Sequence, residues 1–121
     1  MMELSALLGT WINSNPETHS VAVVRATESN GKLKLQVTAM GSDGFVDWGK
    51  TEAEVFAAAP DSKAAAGFTC RYEFEHGETR FQGMIMKGLL VLAQFHLFSD
   101  DRESYFLREY FAATHDRFSK G

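Results

Sequence analysis

The sequence predicts an all-β chain, an eight-stranded antiparallel up-and-down β-barrel with a short N-terminal helical turn. Three observations predict it. Aromatic and β-branched residues cluster in short alternating runs, set apart by turn residues. The connections between runs are short, so neighbours in sequence pair as a meander. Eight runs is also a number that closes into a barrel just wide enough for side chains or one small ligand, and closure removes exposed strand edges.

Glu3 to Leu8 reads as one or two helical turns. The first strand spans Thr10–Asn13 and is broken by Asn15-Pro16-Glu17. The second spans Ser20–Thr27 and leads into Ser29-Asn30-Gly31-Lys32, where Asn-Gly accepts the positive φ of a type I′ turn. The third, Leu33–Ala39, sets Leu33, Leu35, Val37 and Ala39 on one face and Lys34, Gln36 and Thr38 on the other, the pattern of a half-buried strand. The fourth, Phe45–Ala57, lies between turns at Gly41-Ser42-Asp43-Gly44 and Ala59-Pro60-Asp61-Ser62. The fifth, Gly67–Glu75, alternates Phe68, Cys70, Tyr72 and Phe74 against Thr69, Arg71 and Glu73. His76-Gly77-Glu78 turns into the sixth, Thr79–Met86, and Lys87-Gly88 into the seventh, Leu89–Phe98. Ser99-Asp100-Asp101-Arg102 turns into the eighth, Ser104–Ala112, and the polar tail from Thr114 is expected to fray.

The 121 residues make one domain, 1–121. Twelve Lys and Arg against 16 Asp and Glu leave a net charge of −4, which argues against a nucleic-acid partner. Cys70 is the single cysteine, which excludes a disulfide-stapled secreted scaffold. The N-terminus lacks the positive, apolar pattern of a signal peptide, and the longest apolar stretch, Leu89–Ala93, is far short of a membrane helix. A soluble cytoplasmic protein with no membrane partner is expected. His19, His76, His96 and His115 show no ligand spacing, and no nucleophile elbow, phosphate loop or dinucleotide fingerprint occurs. Neither a metal nor a cofactor is expected.

A helical turn, Gly9-Thr10-Trp11 on the first strand and an eight-stranded meander together resemble the calycin superfamily of lipocalins, fatty-acid-binding proteins and avidins. In lipocalins a Gly-x-Trp signature opens the first strand and a late arginine packs over the indole. The resemblance implies that Gly9 and Trp11 form this signature and that Arg108 covers the Trp11 ring through a cation–π contact. It implies a binding barrel. The sequence departs from the family at several points. It has no room for the lipocalin C-terminal helix and lacks the ten strands and helical lid of fatty-acid-binding proteins. With only Trp11 and Trp48, it also lacks the set of tryptophans with which avidins hold biotin.

The fourth strand carries an oddity. With Thr51, Ala53 and Val55 inward, strict alternation carries Asp47 inward as well, a carboxylate in an apolar barrel that Arg25 or Arg108 would have to pair. A bulge at Gly49 would reverse this, leaving Asp47 outside and swinging Trp48 in. Inward positions on other strands add Tyr72, Phe74 and His96, with Gln94 on the same face as His96. Asp47, Tyr72, Phe74, Arg25, Phe95 and His96 are therefore the candidate ligand-binding residues, and no catalytic residue is assigned. His96 reads either as a proton-transfer group or heme ligand, or as an interface or core histidine with one hydrogen bond. Cys70 alternates with Phe68 and Tyr72 and reads as a small buried hydrophobe.

Both faces of the seventh and eighth strands are apolar, although a barrel wall normally shows water one face. A homo-oligomer through these strands is expected. Three functions follow. The first is a barrel binding a small, largely apolar molecule in its interior. The second is an oligomeric structural module with a filled core. The third is a lyase, isomerase or cyclase acting on an apolar substrate, with Asp47, Arg25, Tyr72, His96 and Arg108 as its polar groups.

Overall fold

A computed structural model describes residues 2–114. The polar tail expected beyond Thr114, with His115, lies outside the described residues. The strands are β1 (Gly9–Asn13), β2 (Val21–Ser29), β3 (Lys32–Gly41), β4 (Gly44–Ala57), β5 (Ala65–Phe74), β6 (Gly77–Met86), β7 (Leu89–Phe98) and β8 (Tyr105–Ala113). They form one closed antiparallel barrel in sequence order, with β8 returning to pair with β1. The expected meander is the fold. Alternation drives it: on β3, Leu33, Leu35, Val37 and Ala39 are buried while the residues between them are partly exposed. The hairpin after β2 turns at Asn30 and Gly31, with φ of 55° and 78°, as Asn-Gly requires.

One end of the barrel is shut by the N-terminal segment. Residues 5–7 form a single turn, closed by the Leu7 N–H donating to the Leu4 carbonyl at 2.9 Å. This single turn stands where one or two helical turns are expected. Glu3 makes a short parallel bridge with Ala64, its N–H donating to the Lys63 carbonyl and its carbonyl accepting from the Ala65 N–H. This strap seats Leu4 and Leu7, both buried, as a plug. Trp11 lies buried beneath it, and its indole N–H donates to the Leu7 carbonyl at 2.9 Å. A buried indole needs such a partner. Above this plug the interior is filled by Leu33, Leu35, Phe81, Leu90, Leu92 and Phe111. Gly83 is required here, because an added Cβ would collide with the Phe68 ring.

Two irregularities shape the other half. The β3–β4 register slips between Gln36, opposite Lys50, and Thr38, opposite Asp47. Trp48 and Gly49 thus face the single residue Val37. Gly49 has φ +83°, a left-handed conformation natural to glycine. The second irregularity is a parting of β4 from β5, which pair only from Glu54 to Ala57 of β4. Nearer the open end, side chains bridge the two strands: the Tyr72 hydroxyl donates to the Gly49 carbonyl at 2.8 Å, and the Thr51 hydroxyl to the Arg71 carbonyl at 3.4 Å.

Candidate functional site at the open end of the barrel

The bulge decides which fourth-strand residues reach the interior. Beyond Gly49 alternation resumes in the opposite phase, so Trp48 turns inward and Asp47 outward. Asp47 is exposed and accepts hydrogen bonds from the Gly49 N–H and the Gln36 side-chain amide, both at 2.8 Å. These bonds, the Gly49 one foremost, hold its carboxyl below the usual carboxylate range. Asp47 therefore clamps the bulge from outside, correcting the inward placement that strict alternation predicts.

Trp48 opens an aromatic wall. Its ring centroid lies 4.9 Å from Phe74, 5.5 Å from Tyr72 and 6.1 Å from Phe81. Tyr72 is buried beneath it, its hydroxyl held by the Gly49 and Leu35 carbonyls. Burial pushes the Tyr72 phenol well above its ordinary pKa. Phe74 stands at the rim, partly exposed.

The facing wall is polar at its base. Thr79, His96 and Tyr105 sit in one cross-strand row on β6, β7 and β8. His96 stacks on Tyr105 at 4.6 Å between centroids. Below them the side chains form a directed chain. The Gln94 amide N–H donates to Glu109 Oε1 at 3.0 Å, which leaves Gln94 Oε1 to accept from the Ser20 hydroxyl at 2.8 Å and from His96 Nε2 at 3.2 Å. Glu109 Oε2 accepts from the Thr18 hydroxyl at 2.8 Å. In the neutral ring that burial favours, a donating Nε2 leaves Nδ1 to accept from the Thr79 hydroxyl at 3.0 Å. His96 is neutral in this arrangement. Burial lowers its pKa, and the Glu109 charge opposes that shift. Among the described residues, no buried side-chain polar atom lacks a partner.

These walls enclose a pocket of about 410 Å³ between Trp48 and Phe74 on one side and Thr79, His96 and Tyr105 on the other. Arg102 roofs part of it, its guanidinium 4.3 Å from the Phe98 ring centroid. Arg102 is fixed by Asp100 at 2.7 Å, whose carboxyl the arginine draws down to about 2. A larger trough, about 780 Å³, runs along the outer wall where β4 and β5 part. Its rim is Glu52, Glu54, Arg71, Glu73 and Arg80, and it meets solvent along its length. Cys70 borders it, and burial pushes that thiol up to about 12, which leaves it a poor nucleophile. The aromatic wall and the buried hydrogen-bonding groups converge at the open-end pocket, which is the candidate site.

Of the residues the sequence singles out, Phe74 and His96 line this pocket, and Tyr72 packs behind Trp48. Arg25 is exposed on the outer face of β2, within 3.5 Å of the Thr38 hydroxyl. Phe95 points outward from β7 onto Phe106, 5.0 Å between centroids, because it alternates against the buried Gln94 and His96. Arg108 also lies on the outer face, opposite Ala93, while Trp11 points inward. The expected arginine–indole contact is therefore not made, and the Leu7 carbonyl holds the indole instead. Thr79, Tyr105 and Glu109 were missed. Alternation through the buried Phe111 carries Leu107, Glu109 and Tyr105 inward, so that signal was present in the eighth strand.

Among the described residues, no group of three or more His, Cys, Asp or Glu side chains could hold a metal ion, and no helix is long and apolar enough to cross a membrane. Compared with protein-family models, curated proteins and solved structures, the chain has no match in any of the three.

Proposed function

We propose that this chain is a calycin-like binding barrel that holds a small, largely apolar ligand at its open end. One observation carries the reading: an aromatic wall, Trp48 and Phe74, faces a buried hydrogen-bonding pair, Thr79 and His96, across a pocket of about 410 Å³. Small-molecule sites combine an apolar lining with a few convergent polar groups in this way. The filled lower half moves the ligand from the centre of the barrel to its mouth. A flat ring would lie between Trp48 and the His96–Tyr105 stack, and a polar substituent would reach Thr79. The reading carries a cytoplasmic setting, in keeping with a single cysteine.

Native mass spectrometry of the purified protein, followed by denaturation of the same sample, tests this. Extra mass released on denaturation is the expected result. A multimer without bound mass, whose Trp48 emission also ignores a panel of aromatic probes, would instead support the filled oligomeric module. That second reading is favoured by the packed lower half of the barrel.

A further inference from the structure

We infer that the occupant of the open-end pocket is recognised through a hydrogen-bond donor of its own, a neutral hydroxyl or N–H carried on an apolar ring, which the oxygens of Thr79 and Ser20 accept. The inference rests on the binding reading above and names the chemistry of the molecule bound.

A hydroxyl gives one proton and accepts through two lone pairs. Which of these it offers a ligand depends on where its proton already goes. Glu109 sets this from below the pocket. Its carboxylate oxygens can only accept, so Oε1 takes the Gln94 amide N–H at 3.0 Å and Oε2 takes the Thr18 hydroxyl at 2.8 Å. The wholly buried Gln94 side chain then has its carbonyl turned the other way. That oxygen accepts the Ser20 hydroxyl at 2.8 Å and His96 Nε2 at 3.2 Å. In the neutral ring that burial favours, Nδ1 of His96 carries a lone pair, and the Thr79 hydroxyl donates to it at 3.0 Å.

Every proton in this chain points away from the pocket and toward Glu109. Thr79 and Ser20 both line the pocket, and both arrive there with the proton already given. Neither oxygen accepts a further hydrogen bond among the described residues. An ether, ketone or nitrile therefore finds no O–H on these two groups and sets lone pair against lone pair. A ligand hydroxyl or N–H completes them. A cation is a poorer occupant. Thr79 and His96 are only 3% and 7% exposed, so an ammonium would exchange its water for neutral oxygens, which is costly. The ring that carries the donor lies between Trp48 and the stacked pair His96 and Tyr105. An aromatic alcohol or an aromatic N–H compound has this combination.

Isothermal titration with three probes built on one ring system tests the inference: β-naphthol, which donates; its methyl ether, which only accepts; and naphthalene, which does neither. β-Naphthol is expected to bind about three- to tenfold more tightly than either, the range of one net hydrogen bond. It is also the probe that water solvates best, so apolar burial alone predicts the opposite order. Thr79→Val combined with Ser20→Ala should bring the ratio near one, with thermal melting confirming that the variant folds. The wild-type order is read without any variant. A methyl ether or naphthalene that binds as tightly as β-naphthol would overturn the inference and leave the binding reading standing. A β-naphthol preference that survives the double substitution would overturn it too. No binding by any of the three would remove the open-end reading itself, and the inference with it.

Discussion

The hydroxyl of Thr79 donates to Nδ1 of His96 at 3.0 Å, and Nε2 of the same ring donates to Gln94 at 3.2 Å. With the ring neutral, as its burial favours, both nitrogens have a partner. Burial lowers the His96 pKa below its ordinary 6.5, while the unfolded chain titrates at the ordinary value. Between those values the unfolded state binds the extra proton. The contribution of His96 to stability is therefore present above pH 6.5 and lost as pH falls through the folded pKa. Denaturant unfolding across mildly acidic pH should show this loss in the wild type and a smaller one in His96→Gln. Equal pH slopes in the two would refute the assignment.

Gln94 joins Ser20, His96 and Glu109, and its side chain is completely buried. Gln94→Leu keeps the volume and removes all three bonds. Stranding those groups should cost about 2–3 kcal/mol, read as a lowered denaturant midpoint with an unchanged slope. Loss below about 0.5 kcal/mol, within the range of ordinary surface substitutions, would mean that water replaces the amide.

Gly49 has open space around its Cα, since nothing lies within 4 Å of an added Cβ. Gly49→Ala therefore isolates the backbone cost of φ +83°, expected at about 1–2 kcal/mol. Asp47→Ala should weaken the same bulge without altering ligand retention, because the carboxylate lies outside the barrel. Abolished binding in Asp47→Ala at unchanged stability would contradict that placement.

Trp48 and Phe74 form the apolar side of the open-end pocket. For a bound aromatic probe, Trp48→Leu should weaken binding by about two- to tenfold, given the ~0.5–1.5 kcal/mol that an aromatic contact adds beyond its area. Arg25→Ala, on the outer face, should leave the affinity within error. Fluorescence titration reads both variants, and equal losses in the two would remove the pocket from consideration.

Period-two alternation was enough to identify the strands and their inward faces on β3 and β5, because a strand half in water must segregate its side chains; on β7 it separated two faces, both apolar, without deciding which turns inward. Tyr72 was legible for that reason. The same rule sets Phe95 on the face opposite His96, yet apolar character drew it into the site. Trp48 and Asp47 were not decidable, since a single bulge residue inverts every position before it and several registers satisfy the same string of residues.

The sequence by itself determined a closed meander of eight strands, the Asn30-Gly31 turn and the two-faced apolarity of β7 and β8. These follow from local alternation and turn chemistry, which act over a few residues. Tertiary structure alone decided that Leu4 and Leu7 plug one end, that Trp48 rather than Asp47 enters the other, and that Thr79, Gln94, Glu109 and Thr18 join in one buried chain. The physical reason is closure. Thr18 and Glu109 are 91 residues apart in sequence, and only the return of β8 to β1 brings them within hydrogen-bonding distance.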